Sequence, residues 1–332
     1  MITEVAKNIY RFNVDLPQTA LKQLNIYVIK AGGRNIVFDT GYNLPETQAQ
    51  LLAGLSALDL EVADCELVLT HLHSDHTGLA HLFADAGCPV YAGSVDGNLM
   101  NAMTGDAYWK HIYALQAAYS DKGTATSRED NPAHNYKLNR PVDFIPLDPG
   151  DDFVVGDYQF NVLDLKGHTP GHIGLYEANH HFIFSADTVL DPISPNITYW
   201  GDQYPNILGT YIETLRDLRK LNLARMFATH RKIIDNPNER IDEIIHHHLL
   251  RLQEILQSME VDAWYTVEDI SSQISWRIKI DSWQNFPPAQ RVFALGETMA
   301  HLDYLRHSKH VEMKMEDNVY RFRLLNGVIE AV

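Results

Sequence analysis

ELVLTHLHSDHTG, residues 66–78, sets a short apolar run against a dense polar loop, and these thirteen residues decide the fold. Glu66–Thr70 has the length and the Val/Leu content of a buried strand. In extended backbone, side chains two apart share a face, so His71 and His73 point to one side while Leu72 points to the other. One metal ion can take both imidazoles. Asp75 and His76 stand just past the turn, where the loop can fold them back beside the first pair. An exposed polar loop that merely contains histidines rarely puts four ligand-type residues in six positions.

Outward from this loop the pattern alternates strands and helices. Upstream, Asn25–Lys30 and Asn35–Phe38 read as a hairpin around Gly32 and Gly33, and Glu46–Leu58 as an amphipathic helix. Downstream, Leu79–Ala86 is predicted helical and Val90–Ala92 a strand. Residues 94–140 loosen into helical pieces, including Tyr108–Tyr119, and a polar stretch, Thr124–Asn135, together read as an insertion near a site. Strand signals return at Val142–Pro146, Phe153–Val155, Tyr158–Leu165, Ile173–Glu177, His181–Ser185 and Met226–Ala228, before a long helix over Glu239–Met259. Two β-rich halves with helices between and after them predict an α/β sandwich, sheet on sheet with helices outside. Beyond it, a short capped helix at Thr266–Ile274, a longer one at Pro287–Arg306 and two strands about Glu316-Asp317-Asn318 predict a small α+β module of winged-helix type. The expected division is a catalytic domain over 1–257 and this module over 258–332, as the length of 332 residues also suggests.

Charge and cysteine usage narrow the function. With 43 Asp+Glu against 27 Lys+Arg the formal charge is -16, which repels polyanions. The basic residues of the tail, Arg291, Arg306, Lys309, Lys314, Arg321 and Arg323, are mixed with Glu297, Asp303, Glu312, Glu316 and Asp317, so no basic face emerges for nucleic acid. Packing, dimerisation or covering the site is the role expected of the tail. Only Cys65 and Cys88 are present, which suits a reducing cytoplasm. Neither a leader pattern nor ~18 consecutive apolar residues occurs, so no membrane association is expected. A small-molecule substrate, no nucleic acid and a homodimer at most are the expected partners.

H-x-H-x-D-H after an apolar strand resembles the metallo-β-lactamase superfamily, and GHTPGH at residues 167–172 is similar to its glyoxalase II and lactonase branches. Phe182–Phe184 running into Ser185-Ala186-Asp187 resembles the strand-end aspartate of the family, and Ala228-Thr229-His230 its last histidine. The resemblance spans roughly residues 1–257 and implies an αββα sandwich with two divalent ions per chain. It implies that His71, His73 and His168 hold one ion, Asp75, His76 and His230 the other, and that Asp187 bridges them. Asp39, at a strand end, resembles the carboxylate that stands behind the ligands and orients an imidazole. A lone Asp-Thr-Gly at residues 39–41 also marks aspartic proteases, but those need two such carboxylates.

His and carboxylate donors suit zinc first, with manganese or iron fitting the same set. Two ions about 3.5–4 Å apart lower the pKa of a bridging water toward ~7, giving a hydroxide nucleophile, while one polarises a carbonyl. Asp75 is the expected catalytic proton carrier. The reaction expected is hydrolysis of a small ester, thioester or lactone; a metal-dependent endoribonuclease of the same fold and a non-catalytic metal-binding protein are the alternatives. The drug-destroying lactamases resemble this chain in H-x-H-x-D, yet one group places Arg and Cys where His76 and Asp187 stand here. Antibiotic hydrolysis is therefore not expected. Flavodiiron chemistry is disfavoured by His73, where those proteins carry an acidic residue, and by the lack of a flavodoxin-like pattern. Tyr199, Trp200 and Tyr204, close after Asp187, are candidates for an acyl pocket, with Tyr108, Trp109 and Tyr113 weaker ones because their spacing also suits a packed helix face. His172 is as well explained by a structural role as by ligation, and His246, His247 and His248 point in different directions around a helix and cannot converge on one ion.

Overall fold

The computed structural model describes all residues except 18, 124–127, 129–130, 279–281 and 326–332. Part of the polar stretch read at Thr124–Asn135 therefore lies outside the described residues. The chain begins with strands β1 (Thr3–Ala6), β2 (Ile9–Leu16), β3 (Lys22–Ala31) and β4 (Arg34–Phe38), followed by helix α1 (Pro45–Ser56), β5 (Glu66–Leu69), α2 (Ser74–Thr77), α3 (Ala80–Asp85) and β6 (Val90–Ala92). Next come α4 (Ser94–Met103), α5 (Asp106–Ala117), α6 (Pro132–Asn135) and β7 (Ile145–Pro146), which completes a sheet of order β1 to β7. The second sheet holds β8 (Asp152–Val155), β9 (Tyr158–Asp164), β10 (Ile173–Glu177), β11 (Phe182–Ala186) and, after α7 (Ile207–Lys220), β12 (Arg225–Ala228), in the order β12-β11-β10-β9-β8. Helix α8 (Pro237–Gln257) leads to β13 (Trp264–Thr266), α9 (Val267–Ser271), α10 (Pro288–His307), β14 (Val311–Glu316) and β15 (Val319–Leu324), whose strands pair as β13-β15-β14.

Alternation along the central strands explains the layering. Tyr27, Ile29, Ile36, Phe38 and Val68 turn one way and pack with Phe153, Val155, Phe160, Leu175, Phe184 and Phe227 of the second sheet. The intervening Val28, Val37, Leu67 and Leu69 turn the other way and join Leu51, Leu55 and Phe83 under the helices. Phe38 stacks on Phe184 with ring centroids 4.1 Å apart, and Tyr27 meets Phe184 and Phe227 at 5.5 and 5.4 Å. Each such buried ring contributes about 1.5–3 kcal/mol. The result is helices, two sheets, helices, as the alternation predicts.

Strand direction then decides where chemistry can sit. β4, β5 and β6 run parallel, and so do β11 and β12, so the carboxyl ends of β4, β5, β11 and β12 gather at one edge of the sandwich. Two backbone bonds tie the sheets there: Asn25 N–H to Thr229 O at 2.6 Å and Ile173 N–H to Thr70 O at 3.0 Å. The strand expected at Val142–Pro146 shrinks to β7, because the Val142 N–H is taken by the Asn101 side-chain amide oxygen at 2.9 Å instead of a ladder partner. The boundary expected at 257/258 falls at the end of α8, and the tail is a small module of helices and strands. Its helix α10 packs against α5, α7, α8 and α9. No described helix is long and apolar enough to cross a membrane.

Candidate metal centre

Strand ends deliver every donor. His71 and His73 follow β5, and α2 carries Asp75 and His76 on its first turn. His168 lies in the β9–β10 connection, Asp187 directly follows β11, and His230 closely follows β12. Before Asp187, Ala186 takes a left-handed backbone (φ 42°), a conformation that costs a non-glycine residue roughly 1–3 kcal/mol and survives only where its surroundings demand it. Thr229 fixes the result by donating its hydroxyl to Asp187 Oδ1.

Three overlapping groups converge, with all donor atoms of each within 4.8 Å of one another: His71, His73 and His168; His71, His76 and Asp187; Asp75, His76 and His230. The first and third are the two sets implied by resemblance, and both draw donors from the two sheets. In the first, His73 Nδ1 lies 3.1 Å from His71 Nε2 and 3.0 Å from His168 Nε2. Asp187 Oδ2 stands among the sets, 3.7 Å from His168 Nε2, 3.6 Å from His76 Nε2 and 3.4 Å from His230 Nε2. Asp75 Oδ2 is 3.4 Å from His230 Nε2 and 3.8 Å from His76 Nε2.

The arrangement fits divalent ions on two grounds. His76 Nε2 and His230 Nε2 are buried and have no hydrogen-bond partner, a costly condition that a cation would relieve. Two donors on a tetrahedral zinc, each about 2.0–2.1 Å from the ion, stand roughly 3.4 Å apart, the spacing of these groups. Outer partners fix which nitrogen faces inward. His76 Nδ1–H donates to Asp39 Oδ2 at 2.8 Å, His230 Nδ1–H to Gln23 O at 2.9 Å, and His168 Nδ1–H to Asn196 O at 2.9 Å. His71 Nδ1–H gives to the Thr70 hydroxyl at 3.0 Å, which itself donates to Asp39 at 2.9 Å. The inward nitrogens of His71 and His168 are thus bare lone pairs facing His73.

Electrostatics divides the two sets. Burial holds His71 and His168 below the usual imidazole range and brings His73 down to about 3, so these rings are neutral and ready to coordinate at pH 7. Burial also opposes charge on His76 and His230, but the carboxylates outweigh it: Asp39, Asp75 and Asp187 raise His76, and Asp187 with Asp75 raises His230 to about 9. Burial works against ionised Asp75, yet His76 and His230 bring it down to about 2.

Sequence reasoning misses several supports. Asp96, buried on the first turn of α4, accepts from Leu72 N–H at 3.0 Å, from Gly171 N–H at 2.6 Å and from the Thr169 hydroxyl, clasping the 71–76 loop to the 167–172 loop. Nothing around residue 96 in the sequence signals this; Thr70, directly before His71, does carry a signal. His172 joins neither set and stacks on His71 with centroids 4.7 Å apart. His248 is buried against His301, whereas His246 is exposed, in keeping with their directions around α8. Trp200 lies 6.1 Å from His73, nearly parallel to it, and its buried indole N–H has no partner. Tyr204 is half-buried, and Tyr199 turns its hydroxyl to Asp202 at 2.8 Å. Trp109 packs against His134, to which the Tyr113 hydroxyl is bonded, and Tyr108 borders Trp109.

Comparison with known proteins places this geometry. The family model of the metallo-beta-lactamase superfamily matches residues 20–230, and that of the metallo-beta-lactamase-like C-terminal domain matches residues 284–325. A beta-lactamase-like protein 2 homolog of Caenorhabditis elegans is 23% identical over 270 residues, covering 80% of this chain and 76% of its own. An atrochrysone carboxyl ACP thioesterase of Aspergillus fumigatus is 22% identical over 229 residues, 69% of this chain but 42% of the thioesterase. Among solved structures, a metallo-beta-lactamase family protein of Thermus thermophilus superposes with TM-score 0.81 at 25% identity, covering 97% of this chain and 100% of the other. A beta-lactamase domain protein of Burkholderia ambifaria gives TM-score 0.76 at 22% identity, over 98% and 95% of the two chains.

Proposed function

This chain belongs to the metallo-beta-lactamase superfamily, and from that premise we propose that it is a metal-dependent hydrolase of a small ester, thioester or lactone. The observation that carries the proposal is Asp187 Oδ2 standing 3.4–3.7 Å from His168, His76 and His230, between two sets of buried donors. His71, His73 and His168 would hold one ion, Asp75, His76 and His230 a second, with Asp187 shared; zinc suits these donors first, manganese or iron next. When bound, such a pair supplies Lewis acidity, making water nucleophilic near neutral pH and polarising the scissile carbonyl.

The protein's own groups do the rest. Asp75 is ionised at neutral pH, so its Oδ2 accepts the proton of the attacking water and returns it to the departing oxygen or sulfur. Asp39, through His76 Nδ1 and through Thr70 to His71, keeps both rings in the tautomer that presents Nε2. Trp200, beside His73 with an unpartnered N–H, walls the acyl side and offers a hydrogen bond to the substrate; Tyr204 extends that wall, and Tyr199 braces it through Asp202. The acyl choice is supported by the thioesterase among the relatives and by the net charge of -16, which disfavours an RNA track. The tail, in our reading a winged-helix-like module, supports the site and is no binding face for nucleic acid.

A side-by-side assay on ester, thioester and lactone panels and on labelled RNA tests this. Acyl hydrolysis lost on chelation and reduced about 10²–10⁴-fold by Asp75→Asn is expected, as for removal of a proton carrier, with Asp187→Ala also inactive. Chelator-sensitive RNA cleavage with an empty acyl panel would sink the proposal.

A further inference from the structure

The loop at residues 196–200 touches two of the three imidazoles of one donor set. Its Asn196 carbonyl accepts from His168 Nδ1, and its Trp200 ring lies against His73. That loop is held from outside the sandwich, by α10 of the C-terminal module. The Asn196 side-chain amide donates to Phe293 O at 3.2 Å and to Glu297 Oε2 at 3.3 Å. Three residues on, Tyr199 N–H reaches Gly296 O at 3.3 Å. The approach is so close that a Cβ on residue 296 would collide with Thr198 Oγ1, which is why glycine stands mid-helix where it otherwise costs about 1 kcal/mol. Glu297 is buried, with the Arg251 guanidinium of α8 at 3.8 Å on its other oxygen and Arg251 itself lying over Trp276.

The second donor set has no such dependence. Behind His76 stands Asp39, and behind His230 stands Gln23 O, both from the β2–β4 region of the first sheet. We propose that α10, through Glu297, Phe293 O and Gly296, positions the 196–200 loop and so sets the ion affinity of the His71/His73/His168 site alone, leaving the Asp75/His76/His230 site untouched. Glu297 and Gly296 are positioning residues in this scheme, since neither meets substrate or ion. The inference rests on the reading that each donor set holds an ion.

The test is stepwise zinc affinity of the full chain, read by competition with a chromogenic chelator, with the step that vanishes in His168→Ala marking the first site. Glu297→Ala and Gly296→Val should weaken that step about tenfold, the low end for loss of an outer partner, while Glu297→Gln, which keeps an acceptor for Asn196, stays within about twofold of the parent. The other step should not move in any of them. Phe322→Ala, in the buried face of the tail's sheet, should lower the melting temperature and leave both steps alone. Identical steps in parent and variants, or both steps falling together with stability, would overturn the inference. A parent protein that binds fewer than two ions would overturn the two-ion reading and this inference with it.

Discussion

The carboxylate of Asp39 reaches both donor sets, His76 directly at 2.8 Å and His71 through the Thr70 hydroxyl, while Oδ1 also takes Thr70 N–H at 2.9 Å. Its backbone is left-handed (φ 60°), which asparagine tolerates better than other residues, so Asp39→Asn removes charge and acceptors without forcing the chain. Zinc affinity measured by competition should fall about 10–100-fold, the usual loss for a partner behind a ligand, with the melting temperature of the metal-free protein little changed. An unaltered affinity would mean that Asp39 only holds the turn. At this scale the sequence was informative where chemistry is dense. His71, His73, Asp75 and His76 crowd six positions, and Asp39 ends an apolar run. Asp96 and Asn196 leave no trace in sequence, because each acts through one carboxylate or one carbonyl brought from far along the chain.

Among the elements, α4 has one task visible only in three dimensions. Through Asp96 it clasps the loops that carry His71, His73 and His168, and Gly171 fits there because a Cβ would lie 2.6 Å from Asp96 N. In Asp96→Ala the N–H groups of Leu72 and Gly171 lose their acceptor inside the protein, at roughly 1–3 kcal/mol each. Thermal unfolding should register a drop of several degrees, with the first zinc step weakened as well; a variant as stable as the parent would show that the loops hold themselves. The hairpin of β3 and β4, the strand before the metal loop and the long α8 were legible because their apolar period is unbroken. Helix α7 was not, since Asn206 enters it in a left-handed conformation with no capping side-chain bond, so no start signal is written. The four residues of β1 are half-exposed to exposed and pair on one side only, which leaves no apolar pattern to read.

For the molecule as a whole, α8 and α10 meet at His248 and His301, whose Nδ1 and Nε2 lie 3.1 Å apart with both rings fully buried. Burial keeps both neutral, bringing His301 down to about 3 and His248 well below its ordinary value. In the unfolded chain each ring takes a proton near pH ~6.5, so the unfolded state binds more protons below that pH. The stability they confer is present above pH ~6.5 and drains away on acidification, at about 1.4 kcal/mol per pH unit per ring. Melting temperatures between pH 7 and 5 should therefore fall less steeply for His301→Gln than for the parent; parallel slopes would refute it. The same scale gives the two-sheet origin of each donor set another consequence. Ions held by His71 with His168, and by His76 with His230, would rivet the sheets at one end, stabilising the fold by about 4 kcal/mol at a thousandfold excess over Kd. Amide hydrogen exchange makes this seam observable. Stripping the ions should speed exchange at Asn25 and Ile173, whose N–H groups cross between the sheets beside the site, while amides of β3 and β11 around Tyr27 and Phe184 keep their protection. Equal protection with and without metal would mean that the aromatic layer alone keeps the sandwich shut.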